Sequence, residues 1–256
     1  MVILKSLDEI KKIKEANQVI ARLYHDVLPK YIKAGISTGE LDLIIEDYLK
    51  TQGAFAATKG YGAEYGNPYP ASSCISVNEA VVHGVPSNNF FLKEGDIVSV
   101  DVSPNLNGYI GDSAITYAVG NIDEESQKLL DVTKKSREIA IETLIVGNRI
   151  GDMSCAVQEY VESNGFSVVR EFCGHGVGIK IHEDPMVPNF GRRGRGLRIE
   201  NGMVLAIEPM VNVGSYKTRI LSDGWTAVTK DGKRSAHFEH SVAIIDGKPV
   251  ILSEYE

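Results

Sequence analysis

Four acidic residues sit where acids are disfavoured. Asp101 closes the run Ile97-Val98-Ser99-Val100, and Asp112 precedes the apolar stretch that reaches Val119. Glu208 closes Met203-Val204-Leu205-Ala206-Ile207, and Glu239 follows Ser235-Ala236-His237-Phe238. Aspartate and glutamate are depleted in strands and are rarely buried without a partner. Carboxylates that converge in a core repel one another unless a proton or a cation lies between them. No lysine or arginine lies inside these strands, so a divalent metal is the natural counter-charge, and hard oxygen donors suit Mn, Fe, Co or Zn. A fifth ligand is available in Cys173-Gly174-His175-Gly176-Val177-Gly178, where glycines let backbone approach closely and fix the position of the imidazole. Five ligands are too many for one four-coordinate zinc. They suit two ions sharing bridging carboxylates at a spacing of ~3.5–4 Å. Taken singly, Asp101 reads as a strand-end acid, Asp112 as a turn acid and His175 as a satisfied core histidine; the set argues for metal. Of the other histidines, His83 lies in Val81-Val82-His83-Gly84-Val85-Pro86 and His182 lies seven residues past His175. His237 and His240 flank Glu239 and are candidate supporting partners of the ligands, while His25 reads as solvated on a helix.

Particular elements must position these groups. Asn107-Gly108 is a two-residue hairpin signal. It pairs Leu106 with Tyr109 and Ser103 with Asp112, and the period of two puts Asp101 on the Ser103 face. Asp101 and Asp112 then become diagonal neighbours, ~7–8 Å apart at the backbone. Asp231-Gly232 offers a second hairpin signal ahead of Ser235–Glu239. Ser6-Leu7-Asp8-Glu9 has the form of a capping box. Ile10, Ile13, Ala16, Ile20, Leu23, Val27 and Leu28 follow at helical spacing, with Gly35 as the stop. A second helix is predicted from Thr38 to Gly53, and two more over 123–146 and 151–163. Strands are predicted around 81–82, 97–100 and 115–119, and again over 166–171, 203–213, 225–229 and 235–245. The order is two helices then strands, twice over. Gly95–Asp101 can be laid on Gly202–Glu208 in constant register, which reads as an internal duplication of one α+β unit.

Composition bounds the possibilities. The chain has 256 residues, 43% hydrophobic and 24% charged, with 25 glycines and 9 prolines, which excludes collagen-like and disordered classes. It carries 27 Lys+Arg against 34 Asp+Glu, a formal charge of -7, and so lacks the basic footprint of a general nucleic-acid binder. Cys74, Cys155 and Cys173 form no CxxC pair, which argues against a thiolate zinc site and suits a reducing cytoplasm. The N-terminus turns charged after Val2-Ile3-Leu4 and does not read as a secretory signal. No apolar run reaches the ~18 residues of a membrane span.

Together the motifs resemble a family, the type I methionine aminopeptidases, over nearly the whole chain. The matching pieces begin with Tyr69-Pro70, Ser73–Glu79 and Val82-His83-Gly84-Val85-Pro86. They continue with Gly95–Asp101, Gly108–Asp112, Gly174–Gly178 and His182-Glu183-Asp184-Pro185. They end with Ile207-Glu208-Pro209-Met210, Asp223-Gly224-Trp225 and Glu239-His240. The resemblance implies the α+β pita-bread fold: one catalytic domain made of two pseudo-symmetric halves, about 1–125 and 126–256, around a curved antiparallel sheet. It implies removal of the initiator methionine from nascent proteins by hydrolysis of the first peptide bond at two divalent ions (Co, Fe, Mn or Zn). Asp101 would hold one ion, His175 and Glu208 the other, and Asp112 and Glu239 would bridge. Glu208 would also shuttle a proton, His182 would stabilise the tetrahedral oxygen, and His83 would contact the scissile nitrogen. Tyr69, Cys74, Ile181 and Trp225 would line an apolar methionine pocket. Ile181 departs from the aromatic residue expected there, and whether Tyr65 joins the pocket stays open. A monovalent cation on backbone oxygens near Asn78 and Ser235 is a further implied feature.

Two absences narrow the type. There is no Cys/His-rich N-terminal extension, as in the bacterial form. Only 25 residues separate His182 from Glu208, too few for the helical insertion of type II enzymes. Gly191–Arg198 carries four arginines in eight residues. The plain reading is a solvated loop; the sharper one is contact with ribosomal RNA through Arg192–Arg198. The partners expected are the N-terminal methionine of nascent chains and the ribosome, with no DNA and no membrane, for a cytoplasmic monomer. Three rivals remain: a pita-bread peptidase that cleaves before proline, a pita-bread binding module without catalysis, and a phosphate-binding enzyme built on Gly174–Gly178. The last lacks the GxxxxGK[ST] pattern.

Overall fold

Helix α1 (Leu7–Arg22) starts at the capping box: Ser6 Oγ accepts the Glu9 N–H, and the Glu9 carboxylate accepts the Ser6 N–H. In this computed structural model, which describes Met1–Glu256, the helical path continues through a π turn, Leu23–Val27, and a 3-10 turn, Leu28–Lys30. The regular helix is therefore shorter than its apolar spacing predicts, and Pro29 lies in the tightened last turn, since proline has no N–H to continue an α-helical ladder. Helix α2 (Thr38–Thr51) repeats the device with Ser37 and Glu40. Asp123 caps helix α3 (Glu124–Thr143), and helix α4 (Ile150–Ser163) follows.

The strands pair antiparallel throughout. In the first half, Ile97–Val102 lies between Cys74–Val77 and Ser113–Ala118. In the second half, Val204–Ile207 lies between Gly174–Gly176 and His240–Ile245. Alternation along the strands separates two faces. Val98, Val100 and Val102 pack with Val19, Ile20 and Leu23 of the α1 region and with Leu41, Ile45 and Leu49 of α2. Leu205 and Ile207 pack with residues of α3 and α4 such as Leu129, Met153 and Val157. Each helix pair thus covers one face of its half, and the acidic positions are left for the opposite face.

Two strand expectations are corrected. The stretches over 203–213 and 235–245 are broken. Val204–Ile207 and His240–Ile245 pair in one sheet, while Met210–Asn212 and Ser235–His237 pair in another. Glu208-Pro209 and Phe238-Glu239 are the crossings, and Pro209 cannot donate to a continuing ladder. The Asp231-Gly232 turn is not the tip of a hairpin between paired strands. Ala227–Thr229 is bonded on one edge to Thr218–Ile220 and on the other to Ala80–Val82, so it has no edge free for Ser235–His237. The Asn107-Gly108 hairpin does form, with Leu106 opposite Tyr109, and its register continues into Asp101 opposite Ala114.

Candidate metal centre

Only Asp101 among the four acids lies within a strand; Asp112, Glu208 and Glu239 occupy junctions between strands. A junction frees a backbone from the ladder, so each is tied down by other bonds. Ser103 Oγ donates to Asp112 Oδ1 at 2.7 Å. The Asp112 N–H donates to Asn17 Oδ1 of α1 and to Ser241 Oγ, at 3.3 and 3.2 Å. The Glu239 N–H donates to the Ala114 carbonyl, and its own carbonyl accepts Ser113 Oγ–H, both at 2.8 Å. The Glu208 carbonyl accepts from Asn189 at 3.0 Å.

The result is convergence. Carboxylate oxygens of Asp101, Asp112 and Glu239 lie within 4.8 Å of one another. His175 Nε2 stands 3.3 Å from Glu208 Oε1 and 3.8 Å from Asp112 Oδ2. Its Nδ1 lies 2.9 Å from the Gly176 carbonyl; donating there leaves the Nε2 lone pair facing the acids. The flanking glycines are needed because backbone is packed against them: a Cβ at Gly174 would lie 2.2 Å from the Ala206 carbonyl oxygen, and one at Gly176 2.4 Å from that of Asp184.

Electrostatics set the demand for positive charge. Burial, opposed in part by His237, pushes Asp101 up to about 6. Burial and the Asp101 charge push Asp112 well up, and burial together with Asp112 does the same to Glu239. Glu208 is raised by burial. Burial lowers His175 to about 3 and His83 to about 4, and also lowers His182 and His237, so the imidazoles are neutral near pH 7 and supply no counter-charge. Glu239 Oε1 and His237 Nε2 are buried without a hydrogen-bond partner. Four desolvated acids, a neutral imidazole with a free lone pair and an orphaned carboxylate oxygen fit the hard-donor chemistry of divalent ions.

The centre forms the floor of a cavity of about 260 Å³. Tyr69, Cys74, Ile181 and Trp225 line it, with His83 and His182. The Tyr69 hydroxyl donates to the carbonyls of Ser73 and Gly84 at 3.1 and 2.9 Å, and Trp225 packs edge-on against the Tyr69 ring with centroids 5.3 Å apart. Tyr65 is 83% exposed and does not line the cavity. Tyr61 does, and its hydroxyl meets His182 Nδ1 at 2.7 Å. His182 also packs edge-on against His175, centroids 4.2 Å apart.

Of the two histidines flanking Glu239, only His237 reaches the centre, with Nε2 3.6 Å from Glu208 Oε2. His240 is turned to the other face, where Nδ1 meets Ser253 Oγ at 2.7 Å; it opens a different strand, in a different sheet, from the one that carries His237. Asn78 and Ser235 are adjacent, the Ser235 N–H donating to the Asn78 carbonyl at 2.8 Å. The Arg192–Arg198 segment is exposed but anchored: Arg193 pairs with Glu159 at 2.5 Å and the Gly194 N–H donates to Asp152 at 2.6 Å. Sequence reasoning missed Tyr61, Phe172, Cys173, Met210 and Asn17. The first lies in a stretch rich in turns, and the others carried no polar pattern that set them apart from core.

Comparison with known proteins shows the family and the fold. The model of metallopeptidase family M24 matches residues 11–246. The chain is 51% identical over 253 residues to a methionine aminopeptidase of Clostridium perfringens, covering 99% of each chain. It is 50% identical over 246 residues to methionine aminopeptidase 1 of Bacillus subtilis, covering 96% of each. The crystal structure of methionine aminopeptidase from Thermotoga maritima matches with a TM-score of 0.95 at 44% identity, over 99% of this chain and 100% of that one. The arrangement of helices and antiparallel sheets is the α+β pita-bread fold.

Proposed function

The chain belongs to metallopeptidase family M24, and from that premise we propose that it removes the initiator methionine from nascent proteins by hydrolysing their first peptide bond. The observation that carries this reading is the buried cluster of four acids and a neutral histidine at the floor of a narrow, largely apolar cavity. Asp101 would hold one divalent ion, His175 and Glu208 a second, with Asp112 and Glu239 shared between them. When bound, such ions supply Lewis-acid charge that lowers the pKa of an attacking water and polarises the scissile carbonyl.

The remaining work belongs to side chains. Glu208 takes the proton of the attacking water and returns it to the departing amine. The Tyr61 hydroxyl can donate to His182 Nδ1, which makes Nε2–H the donor aimed at the oxygen that gains charge on the scissile carbonyl. His83, wedged edge-on between Phe172 and Trp225, meets the scissile nitrogen. Tyr69, Cys74, Ile181 and Trp225 surround the thioether side chain, which suits an unbranched, polarisable group. The free α-amine faces the acidic floor, which limits cleavage to the first residue.

Finer elements of the same reading are one domain in which both halves contribute ligands, action in the cytoplasm with three free cysteines, and a monovalent cation on backbone oxygens near Asn78 and Ser235. Asp112→Asn and Glu239→Gln are expected to abolish turnover of Met-Ala-Ser and to lower bound metal. His182→Ala should cut kcat by about 10²–10³, the scale of losing one oxyanion donor, at unchanged metal content. Normal turnover in either carboxamide variant would overturn the shared-ligand assignment.

A further inference from the structure

A second cavity, of about 870 Å³, lies on the other side of the sheet, between the α1 region and α3. Its floor holds Arg137. Arg137 is only 6% exposed and forms no salt bridge; its guanidinium makes one hydrogen bond, from Nη1 to the Glu239 carbonyl at 3.4 Å, and lies over the Phe238 ring, 5.9 Å from its centroid. Its Nε is buried without a partner, and its Nη2 has no partner within the protein. A desolvated guanidinium costs several kcal/mol unless a counter-charge and hydrogen bonds offset it. Burial holds the Arg137 pKa down to about 10, against the opposite pull of the Glu138, Glu239 and Glu254 charges.

The other walls define what would satisfy it. Ile115, Ile141, Ile251 and the Phe238 ring are apolar. The hydroxyls of Tyr24 and Tyr117 are taken by backbone carbonyls, so these residues offer ring surface. Lys134 adds a second cation. Glu138, Glu142 and Glu254 also line the cavity; Lys135 lies 3.0 Å from Glu138 and 4.0 Å from Glu142, and Glu254 is exposed on the C-terminal tail. With Lys135 counted, three cations face three acids, so the walls carry no excess positive charge and a singly charged anion meets less repulsion there than a doubly charged one. The volume falls in the range of small-molecule sites, roughly 300–1,000 Å³.

We propose that this cavity binds a small monocarboxylate, its carboxylate on Arg137 and its apolar body against Ile115, Ile251 and the Phe238 ring. The site is separate from the acidic cluster, which lies across the sheet, and the proposal does not depend on the peptidase reading. Calorimetric titration of the metal-loaded full chain with hexanoate, hexan-1-ol and inorganic phosphate, at constant ionic strength, tests it. Hexanoate should bind once per chain and at least about tenfold tighter than hexanol, about 1.4 kcal/mol. Arg137→Met should remove that preference. Ile251→Trp, which fills the cavity from a half-buried position and leaves the guanidinium in place, should block hexanoate even where Arg137→Met fails to fold. Equal binding of hexanoate and hexanol, phosphate binding as tight as hexanoate, unaltered hexanoate binding in Ile251→Trp, or no saturable binding at millimolar hexanoate would each overturn it.

Discussion

At the scale of single residues, burying the acids of the centre costs stability in the absence of a counter-charge. Asp101 shows the sign. Its folded pKa is raised to about 6 from the usual 3.8, so the folded state binds its proton more tightly than the unfolded chain does. Its contribution is therefore full below about pH 4 and is lost as pH rises through 6. The metal-stripped protein should lose thermal stability across that window relative to Asp101→Asn, and added Mn(II) should raise Tm more at pH 7.5 than at pH 5. Thermal melts of both proteins, stripped and loaded, check this; equal pH slopes would contradict it. The candidate acids were legible because four carboxylates beside apolar runs are improbable as a set. Tyr61 was not, because a tyrosine among glycines and other tyrosines carries no mark of the histidine it will meet.

At the scale of elements, the strongest demand is close packing around His175. The carbonyls of Ala206 and Asp184 fill the space that a side chain at Gly174 or Gly176 would need. Gly176→Ala must shift one of two backbones, an overpacking expected to cost about 1–3 kcal/mol, and should lower metal content at the same time because the imidazole moves with its strand. Denaturant melts and metal analysis on one preparation check both; an unchanged metal content would contradict the positional role. Helix starts were readable from Ser6/Glu9 and Ser37/Glu40, and the hairpin from Asn107-Gly108, because each is a local rule of a few residues. The breaks at Glu208-Pro209 and Phe238-Glu239 were not, because apolar residues resume after each, at Met210-Val211 and Val242-Ala243, so that each stretch reads as one strand. Which sheet a strand joins is decided by partners far away in sequence. The same non-local cause undid the Asp231-Gly232 hairpin, whose first strand already has both edges bonded.

At the scale of the whole molecule, the proposed ligands come from both parts of the chain: Asp101 and Asp112 from the first, His175, Glu208 and Glu239 from the second. Gly95 and Gly202, equivalent in the internal overlay, have nearly the same left-handed φ, 87° and 86°, so the two units also share the turn that enters the acidic strand. We propose in addition that the exposed Arg192–Arg198 loop meets ribosomal RNA, since of its four arginines only Arg193 forms a salt bridge with the protein. Replacing Arg192, Arg193, Arg195 and Arg198 with alanine should weaken co-sedimentation with ribosomes at low salt, and unchanged co-sedimentation would count against it.

The central claim, a metal-dependent aminopeptidase selective for N-terminal methionine, is tested most directly by exhaustive chelation and add-back. Release of methionine from Met-Ala-Ser is followed alongside cleavage of an Xaa-Pro peptide. Activity on Met-Ala-Ser should vanish with chelator and return with Mn, Fe or Co, with the Xaa-Pro peptide left intact. Metal-loaded protein that leaves Met-Ala-Ser uncut, or that prefers the Xaa-Pro peptide, would contradict the account.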